Sequence, residues 1–124
     1  MKDVNYQLDE CPVQKTLNLF QGKWNLRIIY ELSKHESMRF GELKKAIPDI
    51  SNTVLTSTLK ALENQGLVLR QQFNEVPPHV EYSLTEIGRE FQPVIESIRD
   101  WGNKYILMAQ QMAAEMPLAE QDHV

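Results

Sequence analysis

Apolar residues recur at helical spacing along most of this chain. Val13, Leu17 and Phe20 fall at i, i+4 and i+7, which predicts a helix over 12–20. Gly22 interrupts it, and Trp24, Ile28, Ile29 and Leu32 then share one face of a second helix over 24–34. The segment "HESMRF" reads as a connector whose end can add a short strand. A short helix over 40–47 is expected to bury Phe40, Leu43 and Ile47, and Pro48 ends it.

The next stretch, "IPDISNTVLTSTLKALENQG" (47–66), has the sharpest pattern. Ser51 suits the N-cap, where a hydroxyl accepts a bond from a free backbone N–H. Ile50 and Leu55 are placed to form a hydrophobic staple across that cap. Gly66 stands where a left-handed residue closes a helix. The helix is therefore expected from about Asn52 to Gln65. Successive residues turn by about 100°, so Leu55, Leu59 and Leu62 form one narrow stripe. Thr53, Thr56, Ser57 and Lys60 lie roughly opposite, and no carboxylate follows on that side until Glu63.

"LVLRQQF" (67–73) is too short for another full helix, and the prolines of "NEVPPH" favour an extended break. "VEYSL" (80–84) alternates Val80, Tyr82 and Leu84 against Glu81 and Ser83, the pattern of a half-exposed strand. The pair reads as a hairpin with a loop of about six residues. Thr85 can cap the helix that follows. Ile87, Phe91, Val94, Ile95, Ile98, Trp101, Tyr105, Met108 and Met112 continue an apolar seam along it, and Pro93 is expected to kink or divide it.

Two helices joined by a tight turn and followed by a hairpin describe a winged helix-turn-helix, mainly α with a small β-hairpin (α+β). In that arrangement the second helix enters the DNA major groove and the hairpin reaches the flanking backbone. Small hydroxyl and amide groups approach base edges and phosphates closely, where carboxylates are repelled. The alternative is a winged-helix module that docks protein without DNA affinity.

Charge changes this picture only when taken locally. The 124 residues carry a net charge of −4, with 42% hydrophobic and 24% charged residues, ordinary usage for one globular domain. Residues 1–10 hold one Lys against three acids, and 115–124 hold three acids with no Lys or Arg. Between 11 and 70 there are nine Lys/Arg against five Asp/Glu, a local balance of +4. Local fields govern phosphate binding more than totals do. No apolar run approaches the roughly 20 residues of a membrane span, and the start lacks an export pattern, so a cytoplasmic protein is expected. One cysteine forms no internal disulfide, as suits a reducing compartment. His35, His79 and His123 show no metal spacing with one another or with Cys11, and no base or oxyanion hole accompanies Cys11, so neither metal, cofactor nor enzyme chemistry is expected.

"CPVQKTLNLFQGKWNLRIIYEL", "MRFGELKKAIPDISNTVLTSTLKALENQGLV", "EVPPHVEYSLTEIG" and "PVIESIRDWG" resemble, in that order, the HxlR-type bacterial transcription regulators, relatives of the MarR winged-helix group. The resemblance covers about residues 10–105. It implies a homodimeric cytoplasmic repressor or activator that binds double-stranded DNA at inverted repeats near promoters. It also implies dimerisation through the first helix and the helices after the wing, which points to Val13, Leu17, Ile95, Ile98, Trp101, Tyr105 and Met108. The expected organisation is a single domain, with a DNA-binding core over about 10–84, dimerisation helices over 85–114 and an acidic tail over 115–124. Family members usually carry basic residues early and midway in the recognition helix, where this chain has Asn52 and Thr53, then Thr56, Ser57 and Thr58. The wing position that is commonly Arg is His79. The expected DNA contacts are Arg39, Ser51, Asn52, Thr53, Thr56, Ser57, Lys60 and His79, with Lys44 and Lys45 as further phosphate candidates or plain solvated charges.

Cys11 precedes Pro12, which suits a first helical position, so the thiol falls at the N-cap. Lys15 lies one turn on, and Asp9 and Glu10 come just before. In several relatives a cysteine at this motif senses oxidants or electrophiles; the alternative is a small, partly buried packing residue. Trp24 and Trp101, on apolar stripes, are expected as core or dimer contacts.

Overall fold

The computed structural model describes residues 11–116. The apolar stripes read above fold into helices α1 (Pro12–Leu19), α2 (Asn25–Ser33), α3 (Phe40–Ala46) and α4 (Asn52–Asn64). Strand β1 (Met38–Arg39) leads into α3, and β2 (Val68–Phe73) and β3 (His79–Leu84) form a hairpin. Two helices follow, α5 (Glu86–Glu90) and α6 (Gln92–Glu115). The chain divides into two compact units between Glu90 and Phe91, so α5 groups with the sheet and not with α6.

In the first unit the stripes of α2, α3 and α4 meet. Ile28, Ile29, Leu32, Leu43, Ile47, Ile50, Leu55, Leu59 and Leu62 are all essentially inaccessible. Each such burial favours folding by about 1.5–3 kcal/mol before conformational entropy is charged against it. Phe40 is only half-buried, because it is the first residue of its helix and stands at the edge of this core. Polar ties fix the helices further. Glu31, 7% exposed, accepts from Arg27 Nε at 2.9 Å and pairs with Lys34 at 3.3 Å, while Arg27 Nη2 donates to the Ala46 carbonyl at 2.9 Å and so holds the end of α3.

The sheet is antiparallel in the order β1-β3-β2. Phe73 pairs with His79 at the hairpin end, so the connecting loop is Asn74–Pro78 and His79 belongs to the strand, not to the loop. The expected alternation of β3 is absent: its residues are of intermediate exposure up to buried Leu84. The cause is its central position. Met38 and Arg39 cover it on one side opposite Tyr82 and Glu81, and β2 covers the other.

Two chain reversals explain their residues. Gly66 has φ +80°, and the Leu67 N–H donates to the Leu62 carbonyl at 3.0 Å while the Gly66 N–H donates to Glu63, a Schellman closure of α4. Thr85 caps α5, its Oγ1 accepting from the Gly88 N–H at 3.2 Å and donating to the Gly66 carbonyl at 2.6 Å. At Gly88 a Cβ meets the Leu67 carbonyl oxygen at 2.5 Å, so the strand end and α5 approach too closely for any side chain there.

In the second unit, Pro93 stands in the first turn of α6, and the helical run divides at Phe91. Ile95 is buried, whereas Val94, Ile98, Trp101, Tyr105, Met108 and Met112 are exposed. Within the described residues no helix is long and apolar enough to cross a membrane.

Candidate nucleic-acid interface

The turn after α3 delivers α4 with its cap already formed. Ser51 is extended (φ −77°, ψ 158°), and its Oγ accepts from the Val54 N–H at 3.1 Å. Buried Leu55, Leu59 and Leu62 fix the rotation of the helix. The opposite side is thereby forced into solvent. Asn52, Thr53, Thr56, Ser57 and Lys60 are all exposed and together line one open depression. Among the described residues, no hydrogen bond or ion pair engages the side chains of Asn52, Thr53, Thr56 or Lys60. Ser57 differs: its hydroxyl donates to the Val54 carbonyl at 3.1 Å, leaving lone pairs outward as acceptors. The depression therefore offers amide and hydroxyl donors and acceptors and one ammonium, the groups that read base edges and phosphates.

The flanking candidates are arranged unequally. Arg39 is exposed at the N-cap of α3, where its backbone N–H donates to the Glu42 carboxylate at 2.8 Å. Lys44 Nζ is held on the Pro48 carbonyl at 3.1 Å, whereas Lys45 is exposed. The wing loop is exposed throughout, with Val76 fully so, and the sequence has no Lys or Arg between Arg70 and Arg89. His79 points away from the role of a solvated cation. Its ring stacks on Phe73 (centroids 4.7 Å apart, 16° between planes) and Nε2 lies 3.0 Å from the Glu81 carboxylate. The Ser37 hydroxyl donates to the other Glu81 oxygen at 2.9 Å. These two hydrogen bonds, Ser37 first and His79 second, hold the Glu81 carboxyl below the ordinary glutamate range.

Ser37, Phe73, Glu75 and Glu81 were not legible as site residues. The two-residue spacing of His79 and Glu81 on β3 does place them on one face, but Ser37 joins Glu81 from 44 residues upstream, through strand pairing alone.

Cys11 is the N-cap of α1, exposed, with Pro12 as the first helical residue and no cap bond from its side chain. Within the single chain its side chain is not part of the core. Asp9, Glu10 and His123 lie outside the described residues, as does 117–124 of the acidic tail. Of the residues expected at a dimer contact, Val13 and Leu17 are exposed on α1, and Ile98, Trp101, Tyr105 and Met108 on α6; Ile95 is 5% exposed and so stands apart from them. Trp101 and Tyr105 stack on each other at 5.3 Å, and Trp101 is 65% exposed, so it is no core residue. Ile106 and Leu107, exposed on other sides of α6, lie outside the seam read from the sequence. Trp24 is half-buried beneath the Lys23 ammonium, 4.8 Å from its ring.

Comparison with known proteins agrees with this geometry. Residues 19–110 match the model of the HxlR-like helix-turn-helix family. The chain is 43% identical over 105 residues to the uncharacterized HTH-type transcriptional regulator YdeP of Bacillus subtilis, covering 82% of this chain and 81% of that protein. Among solved structures, a protein assigned to the MarR family of transcriptional regulators from Porphyromonas gingivalis W83 superposes with TM-score 0.72 at 44% identity, over 80% of this chain and 96% of that one. The redox regulator HypR in its reduced form superposes with TM-score 0.75 at 36% identity, over 82% and 99%. These relatives are regulators and not enzymes, and their winged-helix architecture is the one built here from β1–β3 and α2–α4. The chain belongs to the HxlR-like helix-turn-helix family of transcriptional regulators.

Proposed function

We propose that the protein binds inverted-repeat operators near promoters as a homodimer, in the cytoplasm, and reads base edges with α4. The observation that carries this reading is the outward face of α4, where a capped, core-anchored helix presents five short polar or cationic side chains in one open depression. Asn52, Thr53, Thr56 and Ser57 face bases, Lys60 and Arg39 supply phosphate contacts, and the Ser51 hydroxyl proton is available to a phosphate oxygen beside the cap. Val13 and Leu17 on α1, and Ile98, Trp101, Tyr105 and Met108 on α6, supply the dimer contact. Two copies of α4 about 34 Å apart then enter successive major grooves.

The experiment is selection of bound fragments from the host's genomic DNA, followed by anisotropy titration over a salt series. Each neutralised phosphate contributes about 0.9 to the slope of log affinity against log salt. Saturable, steeply salt-dependent duplex binding is the expected result. Absence of saturable affinity at low salt overturns the proposal and leaves a protein-docking module.

Cys11 is the proposed point of regulation. Its thiol is exposed, and HypR, described as a redox regulator, has been solved in oxidised and reduced forms. With one cysteine per chain, oxidation of two Cys11 thiols across a dimer gives one disulfide, the two electrons and two protons passing to an oxidant such as diamide. Exchange with a small-molecule disulfide gives a mixed disulfide and releases the other half as a thiol, and addition to a quinone gives an alkylated thiol. Operator affinity is expected to change on diamide treatment in the wild type and not in Cys11→Ser; identical responses retire the sensor.

A further inference from the structure

His79, expected among the DNA contacts, has little of its side chain directed to solvent. Its side chain is 15% exposed, with one ring face covered by Phe73 and Nε2 on Glu81. Nδ1 lies 3.6 Å from the Glu75 carboxylate, on the wing loop itself. Glu75, Glu81 and an imidazolium together sum to a negative charge, which repels a phosphate. The same groups make a mechanical connection. Among the described residues, the only polar side-chain contact of the Asn74–Pro78 loop is that of Glu75 with His79. From His79 the chain of contacts runs through Glu81 to Ser37, just ahead of β1 and α3, and Arg39 pairs opposite Glu81 across the strands.

We propose that His79 is a positioning residue, which clasps the wing tip to the sheet through Phe73, Glu75 and Glu81 and, by way of Ser37, sets the wing's angle to the helix-turn-helix. The proposal rests on the DNA-binding reading for its consequence, since a wing held at one angle meets the duplex without loss of loop entropy on binding. The clasp itself is independent of DNA.

Two measurements separate these. In salt-dependent anisotropy with a selected genomic fragment, His79→Ala and Glu81→Ala are each expected to weaken binding about three- to tenfold with the salt slope unchanged. The double variant is expected to be scarcely worse than either single one, because both break the same connection. Ser37→Ala, an exposed and milder change, moves affinity in the same direction, and Lys60→Ala serves as the control that flattens the slope by about 0.9. Glu81→Ala carries the sharpest sign: deletion of a carboxylate near DNA strengthens binding by charge alone, whereas loss of the clasp weakens it. Tighter binding by Glu81→Ala, or a flattened slope in His79→Ala, overturns the proposal. Backbone amide order parameters at Glu75 and Val76 in the free protein are the second readout, expected to fall in His79→Ala and Ser37→Ala. Unchanged order parameters there overturn the clasp, whereas lowered ones without any duplex binding by the wild type leave the clasp standing and remove the DNA-binding reading.

Discussion

Helices α4 and α6 both turn a broad face to water, and the two faces are chemically opposite. On α4 the exposed residues are short and hydrogen-bonding, with one ammonium and one small apolar group, Val54, at the margin. On α6, 24 residues or about 36 Å long, they include Val94, Ile98, Trp101, Tyr105, Met108 and Met112. Water satisfies the first face fully, so it can remain open until a polar partner displaces that water. The second face loses about 25 cal/mol for every Å² of apolar surface left exposed, and it favours a partner that stays. The first chemistry suits a reversible ligand and the second a lasting one. DNA and a second copy of the chain fit those two descriptions.

The strongest way to break the assignment is to charge the apolar face. Trp101→Glu places a carboxylate where an exposed indole stacks on Tyr105, and a two-fold interface presents every substitution twice. Aromatic anchors of this kind cost about 2 kcal/mol or more when lost, and two of them about 4 kcal/mol, so dimer dissociation is expected to rise by roughly 1,000-fold. Sedimentation equilibrium reads this directly. A dimer of unchanged strength means that α6 faces something other than its own copy.

The matching change on α4 is Thr56→Glu, which puts a carboxylate into the depression with Lys60 still present. Operator affinity is expected to fall by about 2 kcal/mol, or roughly 30-fold, while self-association stays as in the wild type. If Thr56→Glu alters association and Trp101→Glu alters only DNA binding, the two faces have been assigned the wrong way round.

A smaller effect tests the scaffold beneath the polar face. Ser51→Ala removes the oxygen that accepts from the Val54 N–H, at an expected cost of about 1 kcal/mol in unfolding free energy. Urea denaturation measures it. Because Leu55, Leu59 and Leu62 still fix the helix rotation, DNA affinity at low temperature is expected to change less than twofold beyond the loss of one phosphate donor. A larger loss in affinity than in stability makes the Ser51 hydroxyl a direct contact.

What was legible in the sequence follows the same division. The helix α4 was readable to within a residue, because its cap, its leucine stripe and its closing glycine are all local signals, and local signals need no knowledge of partners. The sheet was less so. That β3 is the central strand depends on Met38 meeting Tyr82, a pairing across α3, α4 and β2 that no local signal announces. The alternation of "VEYSL" accordingly suggested a half-exposed strand, where residues of intermediate exposure lead up to buried Leu84. His79 read only as a DNA contact of the wing for a related reason: the fold alone brings Phe73 across to it and Ser37 to its partner Glu81. On α6 the heptad-like seam was visible, but burial of Ile95 and exposure of Ile106 and Leu107 depend on which neighbours each turn meets.

The mildest perturbation available is acid, and its sign can be worked out at Glu81. The Ser37 hydroxyl and then His79 stabilise its carboxylate, so its folded pKa lies below the unfolded value of about 4.3. A group depressed in this way contributes stability that is complete above the unfolded value and disappears as pH falls through the folded one. At about pH 5, above the unfolded value, the wild type is therefore expected to have a higher Tm than Glu81→Gln. Below about pH 4.3 the difference should shrink, because the wild type alone loses this contribution. The α4 depression holds no carboxylate and takes no part in that change, so acid acts on the wing and leaves the recognition face as it is. Thermal unfolding followed by circular dichroism at stepped pH is the measurement, and a Tm difference that widens in acid reverses the sign argued for Glu81.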